Sequence, residues 1–304
     1  MLDYFSVVFI INSMHNRVQY QKIWQEFAGE KSMVFIAGPR QAGKTTLARL
    51  ISRSFVNSLY FNWDIARDRA LFIENPTFFE SIHRRDASIP LVILDEIHKH
   101  GNWKNYLKGV YDQFQGDYQF LVTGSGRLDL YRKGGDSLAG RYLLFHLWPF
   151  TLAELAGRNM AFDTFWKDPQ QVSMEHASEL KDIWSALSEL SGFPEPFLSG
   201  RKTTYRRWSN MYSRQLIRED IRDLTGIKAI GDVETLYLLL PSKIGSPLSA
   251  GFLANDLRVS YNTVRSWIDV FQRFFLFSAS RRGRKKLPGR FRRKERSIYG
   301  MHRS

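Results

Sequence analysis

The sequence predicts an α/β fold in which a parallel sheet is flanked by helices. A helical region and a winged-helix-like module follow. Three stretches carry that prediction. VFIAGPRQAGKTTLARLI (34–51) reads as an apolar strand, a glycine turn and the first turns of a helix. IPLVILDEIHK (89–99) holds a continuously apolar run, Leu91 to Leu94, of the kind that fills a central parallel strand covered on both faces. SPLSAGFLANDLRVSYNTVRSWIDVFQRFFLF (246–277) has two apolar helical faces separated by a turn.

The first stretch fits a phosphate-binding loop. Gly38 and Gly43 let the backbone curl so that successive N–H groups converge on an anion. The helix starting near Lys44 adds its dipole and its unpaired N–H groups at the same point. Gly38, Pro39, Arg40, Gln41, Ala42, Gly43, Lys44, Thr45 and Thr46 form the predicted cradle. Lys44 is placed to reach the β- and γ-phosphates, and the Thr45 hydroxyl to ligate Mg²⁺. A strand, turn and helix in this order make the chain a P-loop NTPase by motif.

The second stretch supplies the carboxylates. Asp95 ends its strand where it can hold the Mg²⁺ water shell, and Glu96 is placed to polarise the attacking water. Between the two motifs, SLYFNWDIARDRALF (58–72) reads as a strand from Leu59 to Trp63, a turn at Asp64 and a charged helix. Downstream, DYQFLVTGSGRLDL (117–130) holds a buried strand from Gln119 to Thr123. Ser125, at the tip of that strand, is a candidate sensor of the γ-phosphate; a plain turn serine is the alternative. Arg141 is a candidate for the guanidinium that stabilises the transferred phosphoryl group, with Arg127, Arg132 and Lys133 as competitors. The chain lacks the Asn/Thr-Lys-x-Asp element that reads guanine, so ATP is the expected nucleotide.

Composition sets the limits. The chain has 304 residues, of which 43% are hydrophobic and 14% aromatic, enough for two or three modest cores. It has no cysteine, which excludes disulfides, thiolate zinc sites and cysteine nucleophiles and fits a cytoplasmic setting. The segment MLDYFSVVFIINS is too short to span a bilayer and lacks signal-peptide features. It reads as an extra strand or as an extension upstream of a start at Met14, and no membrane partner is expected.

The net charge of +14 is local. Residues 281–304 carry eleven Lys or Arg and one Glu, leaving 33 basic against 29 acidic residues in the other 280. Such a run reads as an unstructured basic arm able to bind anions. The abrupt change beyond Phe277 also raises the expectation of a truncated or frame-shifted end. In 246–277, Phe252, Leu253 and Leu257 form the first apolar face, and Val264, Trp267, Ile268 and Phe271 the second, with Ser260 as N-cap. In a DNA-reading version Tyr261, Asn262, Thr263, Arg265 and Ser266 face the groove.

The ordered set AGPRQAGKTTLA, YFNWD, VILDEIHK, LVTGSG, SLAGR and PFTLAEL resembles prokaryotic AAA-type ATPases of the AAA_14 class. GFPEPF (192–197) and REDIRDL (218–224) resemble the DUF4143 domain that usually follows. The resemblance implies an AAA-like core with helical and winged-helix segments behind it. By position it places the nucleotide residues on Gly38, Gly43, Lys44, Thr45, Asp95 and Glu96, and a Gly-Arg element on Gly140-Arg141. Gly126 departs from the small polar residue common there. The expected organisation is an N-terminal extension and helix (1–31), the ATPase core (32–150), a helical region (151–240), a helix-turn-helix module (241–280) and the basic tail (281–304). Two functions compete. One is an Mg²⁺-dependent ATPase that moves its C-terminal module; an oligomer is compatible with it. The other is a nucleotide-responsive DNA-binding regulator using 246–277 and the tail.

Overall fold

The structure is a computed structural model; it describes residues 17–124, 138–157, 177–222, 227–281 and 296–299. The chain divides into two compact units, Met1–Lys202 and Thr203–Ser304. The expected extra strand near the N-terminus lies outside the described residues.

The first unit is built on five parallel strands. They are β1 (Met33–Ala37), β2 (Ser58–Asn62), β3 (Leu91–Asp95), β4 (Gln119–Gly124) and β5 (Leu143–His146), in the order β2-β3-β4-β1-β5. Parallel neighbours need crossovers, and the helices supply them. Helix α1 (Val18–Phe27) precedes β1; α2 (Lys44–Ser52) follows the glycine loop; α3 (Ala66–Glu74) follows β2; α4 (Trp103–Phe114) lies between β3 and β4.

Alternation along the central strands explains the two cores. Phe35, Val92, Leu94, Phe120 and Val122 point to one face and pack with Phe61, Phe78, Phe79, Trp103 and Leu107. Val34, Ile36, Leu91, Ile93 and Leu121 point to the other and meet Trp24, Leu47 and Ile51 from α1 and α2. Each fully buried side chain of this size contributes about 1.5–3 kcal/mol of hydrophobic stabilisation. Both faces being covered is why these strands read as continuous apolar runs. After β5 come α5 (Leu152–Leu155), α6 (Ala177–Leu190) and α7 (Pro194–Ser199).

In the second unit α8 (Lys202–Gln215) runs on into a π-helical turn, Leu216–Ile221, followed by α9 (Ile230–Leu239). Then come β6 (Pro247–Leu248), α10 (Ala250–Asp256), α11 (Tyr261–Arg273), β7 (Ser278–Arg281) and β8 (Arg296–Tyr299). Ser249 and Ser260 cap α10 and α11, accepting the N–H groups of Phe252 and Thr263. Leu253, Val264, Trp267, Ile268 and Phe271 are buried in this unit's core, whereas Phe252 is 57% exposed and departs from the expected apolar face. A second departure is in the tail. Strand β8 pairs antiparallel with both β6 and β7, so residues 296–299 are not an unstructured arm. The β-favouring run Ser297-Ile298-Tyr299 completes that ladder, a signal that charge counting overlooks.

Candidate functional site

The loop after β1 has the backbone that its glycines predict. Gly43 sits at φ +94° and acts as N-cap of α2; Gln41, at φ +60°, makes the preceding left-handed turn. Gly38 is required for a different reason. A Cβ there would lie 2.2 Å from the Leu147 carbonyl oxygen, because the segment after β5 runs directly against the loop. Pro39 and Ala42 are buried, while Gln41 and Thr46 face solvent.

Lys44 is 6% exposed, and its ammonium donates to the carbonyls of Gly38 (3.1 Å) and Pro39 (2.7 Å) across the loop. Thr45 Oγ1 donates to Asp95 Oδ2 at 2.7 Å. The same carboxylate, 1% exposed, also accepts from Tyr60 OH on Oδ2 (2.7 Å) and from Thr123 Oγ1 on Oδ1. All three partners are neutral hydroxyls. They satisfy lone pairs of a buried carboxylate. Burial and the bond to Asp95 push the Tyr60 phenol up to about 12, so it stays a donor at neutral pH.

Glu96 follows at φ +58°, a left-handed conformation that costs a non-glycine residue about 1–3 kcal/mol and that clusters at functional sites. Its N–H donates to Thr123 O at 3.1 Å, tying the turn to β4. The Glu96 carboxylate lies 3.5 Å from Lys99 Nζ and 3.5 Å from His98 Nε2; Lys99 is held by Asp64 at 2.6 Å. Burial raises the Glu96 pKa; Lys99 and Lys44 oppose that rise, and Asp95 and Asp64 add to it.

The structure thus gathers Gly38, Gly43, Lys44, Thr45, Asp95 and Glu96 at the C-terminal ends of β1 and β3. It does not bring Arg141 there. Strands β1 and β5 are parallel, with Val34 paired to Leu143 and Ala37 to His146. Arg141, just before β5, therefore lies at the edge of the sheet opposite the loop after Ala37. Its guanidinium grips Asp112 of α4, Nε to Oδ1 at 2.7 Å and Nη2 to Oδ2 at 3.2 Å. Within one chain it does not reach the phosphate loop. Ser125, Arg127, Arg132 and Lys133 lie outside the described residues.

Tyr60 and Thr123 were not singled out from the sequence. Thr123 left one signal, a polar residue inside the apolar run FLVTG. Tyr60 left none, because SLYFN is an ordinary amphipathic strand. Arg17 and Glu154 were missed too; they form a buried ion pair at 3.0 Å behind the loop. Glu154 could have been suspected from Thr151-Leu-Ala-Glu154, a capping-box spacing in which Thr151 Oγ1 accepts from Glu154 N–H at 3.2 Å.

The donor set fits a nucleotide with its cation. An anion-binding nest, a buried ammonium, and a hydroxyl bonded to a buried carboxylate are what a triphosphate and a hard dication take. Residues 30–156 match the AAA_14 family model, described as an AAA domain. This segment is thus similar to AAA domains. The fold is similar to that of a Walker-type ATPase of Pyrococcus abyssi, at a TM-score of 0.57 and 13% identity over 87% of this chain and 91% of that one. Behind the AAA domain, residues 182–300 match a domain of unknown function, DUF8612. This corrects the expected DUF4143, whose resemblance rested on two short motifs. Two uncharacterized proteins, from Mycobacterium bovis and Mycobacterium tuberculosis, are each 24% identical over 244 residues. Those residues are 78% of this chain and 47% of each relative, so the chain spans about half the length of the curated relatives it matches. No helix among the described residues is long and apolar enough to cross a membrane.

Proposed function

We propose that the AAA domain binds ATP with Mg²⁺ and hydrolyses it, using the change to move its C-terminal module. The observation that carries this is the 2.7 Å bond between Thr45 Oγ1 and Asp95 Oδ2, which joins the phosphate loop to the acidic end of β3. In this reading the N–H groups of loop 38–43 and of the start of α2 hold the phosphates. Lys44 leaves the Gly38 and Pro39 carbonyls for the β- and γ-phosphate oxygens. Thr45 and Asp95 hold the cation, which supplies charge neutralisation when bound. Tyr60 and Thr123 keep the Asp95 carboxylate in place. Glu96 orients the attacking water and accepts its proton, with Lys99 favouring the ionised form. Calorimetric titration with Mg²⁺-ATP tests the core of this. The wild type should release or take up heat with a saturable isotherm, and Lys44→Ala should bind at least about 100-fold more weakly, since two charge-assisted contacts are lost. Equal affinity in the two proteins defeats the assignment.

A second reading, a nucleotide-responsive DNA-binding regulator, is favoured by one feature of the second unit. On α11, Tyr261, Asn262, Arg265 and Ser266 are exposed, while Val264, Trp267 and Ile268 of the same helix are buried. That is how a recognition helix divides its faces, with side chains left free for a groove. Binding to duplex DNA at two salt concentrations, with and without ATP, tests it. Affinity independent of salt and of Arg265 would rule it out.

A further inference from the structure

Resting on the nucleotide reading, we propose that Arg17 is a positioning residue for the phosphate loop, locked in place by Glu154. Arg17 precedes α1 in a left-handed conformation, φ 45° and ψ 42°, and is only 3% exposed. Its guanidinium reaches three separate segments. Nη2 donates to Ala42 O in the loop at 2.8 Å. Nη1 donates to Trp148 O, beyond β5, and to Glu154 Oε2 on α5, both at 3.0 Å. The Phe150 ring lies 4.4 Å from the guanidinium carbon and closes the pocket.

The bond to Ala42 has a direct consequence for anion binding. In a trans peptide the C=O and the following N–H point in opposite directions. A carbonyl of Ala42 turned toward Arg17 therefore aims the Gly43 N–H away from Arg17. That N–H is one of the donors on which the nest depends. The Ala42 N–H bonds to Pro39 O at 3.3 Å and the Gly43 carbonyl accepts from Leu47 N–H at 2.9 Å, while the carbonyl of the peptide between them is the one that Arg17 holds. Arg17 supplies that restraint.

The motifs around 150 and 192 become the seat of this device. Phe150 N–H donates to Gly192 O at 2.7 Å, and a Cβ on Gly192 would lie 2.3 Å from Phe150 O. Pro194 Cγ sits 3.9 Å from where a Gly43 Cβ would be. Fold stability alone accounts poorly for the ion pair. Burial works against both charges, lowering the Arg17 pKa and raising that of Glu154, and well-packed apolar replacements of such pairs are often neutral or stabilising.

That contrast gives the test. In the full chain, Arg17→Met combined with Glu154→Leu replaces the pair by apolar groups. The expected result is a thermal midpoint within a few degrees of wild type and Mg²⁺-ATP affinity weaker by about tenfold, the loss of one well-aimed donor. A folded double variant that binds within twofold of wild type overturns the proposal. Arg17→Lys, which keeps the charge but has one nitrogen where Nη1 serves Glu154 and Nη2 serves Ala42, provides the same comparison if the double replacement does not fold. Several-fold weaker binding at an unchanged midpoint supports the proposal, and unchanged binding overturns it. A wild-type chain that binds no nucleotide overturns the parent reading instead, a result separable from either of these.

Discussion

Tyr60 and Thr45 donate to the same oxygen of Asp95, each at 2.7 Å. One hydroxyl comes from the helix after the glycine loop and the other from β2. Strand β3 lies beside β2, and their register sets Asn62 opposite Asp95. The carboxylate is thus pinned from the loop side by Thr45, from β2 by Tyr60 and from β4 by Thr123.

Tyr60→Phe removes one of those pins and leaves the packing of the ring. If Asp95 holds the cation, its orientation matters, and partners of a metal ligand are commonly worth 10–100-fold in metal affinity. The expected outcome is about a tenfold rise in the Mg²⁺ concentration for half-maximal turnover, with ATP binding little changed. A magnesium titration of phosphate release checks it.

Glu96→Gln separates binding from chemistry. The amide fills the same space next to Lys99 and His98, but it cannot accept a proton. Mg²⁺-ATP affinity should stay within a few-fold of wild type while turnover falls by about 10²–10⁴. Single-turnover measurements beside a binding isotherm read both quantities from one preparation.

Gly38→Ala tests the close approach of the segment after β5. The added methyl meets the Leu147 carbonyl, which is backbone and held by the bond from Leu147 N–H to Ala37 O at 2.8 Å. Overpacking of this kind costs about 1–3 kcal/mol. A lower denaturation midpoint with an unchanged m-value is expected in urea unfolding of the variant.

Arg265→Ala addresses the second unit. If α11 reads DNA, the loss of one cation should weaken duplex binding and flatten the plot of log K against log salt by about 0.9. An unchanged slope places Arg265 away from phosphate.

The geometry of the candidate site was legible because its residues are local. Gly38, Gly43, Lys44 and Thr45 sit within one turn and one helix start, and Asp95 with Glu96 at one strand end, so spacing alone reveals them. The parallel sheet was legible for a related reason, since burial on both faces leaves unbroken apolar runs. What stayed hidden depends on pairing across the chain. Tyr60 acquires its partner only when β2 docks on β3, and Arg17 only when the segment after β5 returns to the loop. The place of Arg141 was hidden for the same reason, because strand direction, not sequence distance, decides which end of the sheet a residue occupies. The tail misled because its charge concealed four residues that complete a small sheet.

Sheet order also governs when the phosphate loop can assemble. Strand β1 has β4 and β5 as neighbours, not β2, although β2 is the next strand in sequence. During synthesis the first strand therefore waits unpaired while most of its unit is still being made, and long-range pairings of this sort are slow. Gly38 meets its backing only once Leu147 has emerged from the ribosome, so the loop reaches its final surroundings late in the making of the first unit.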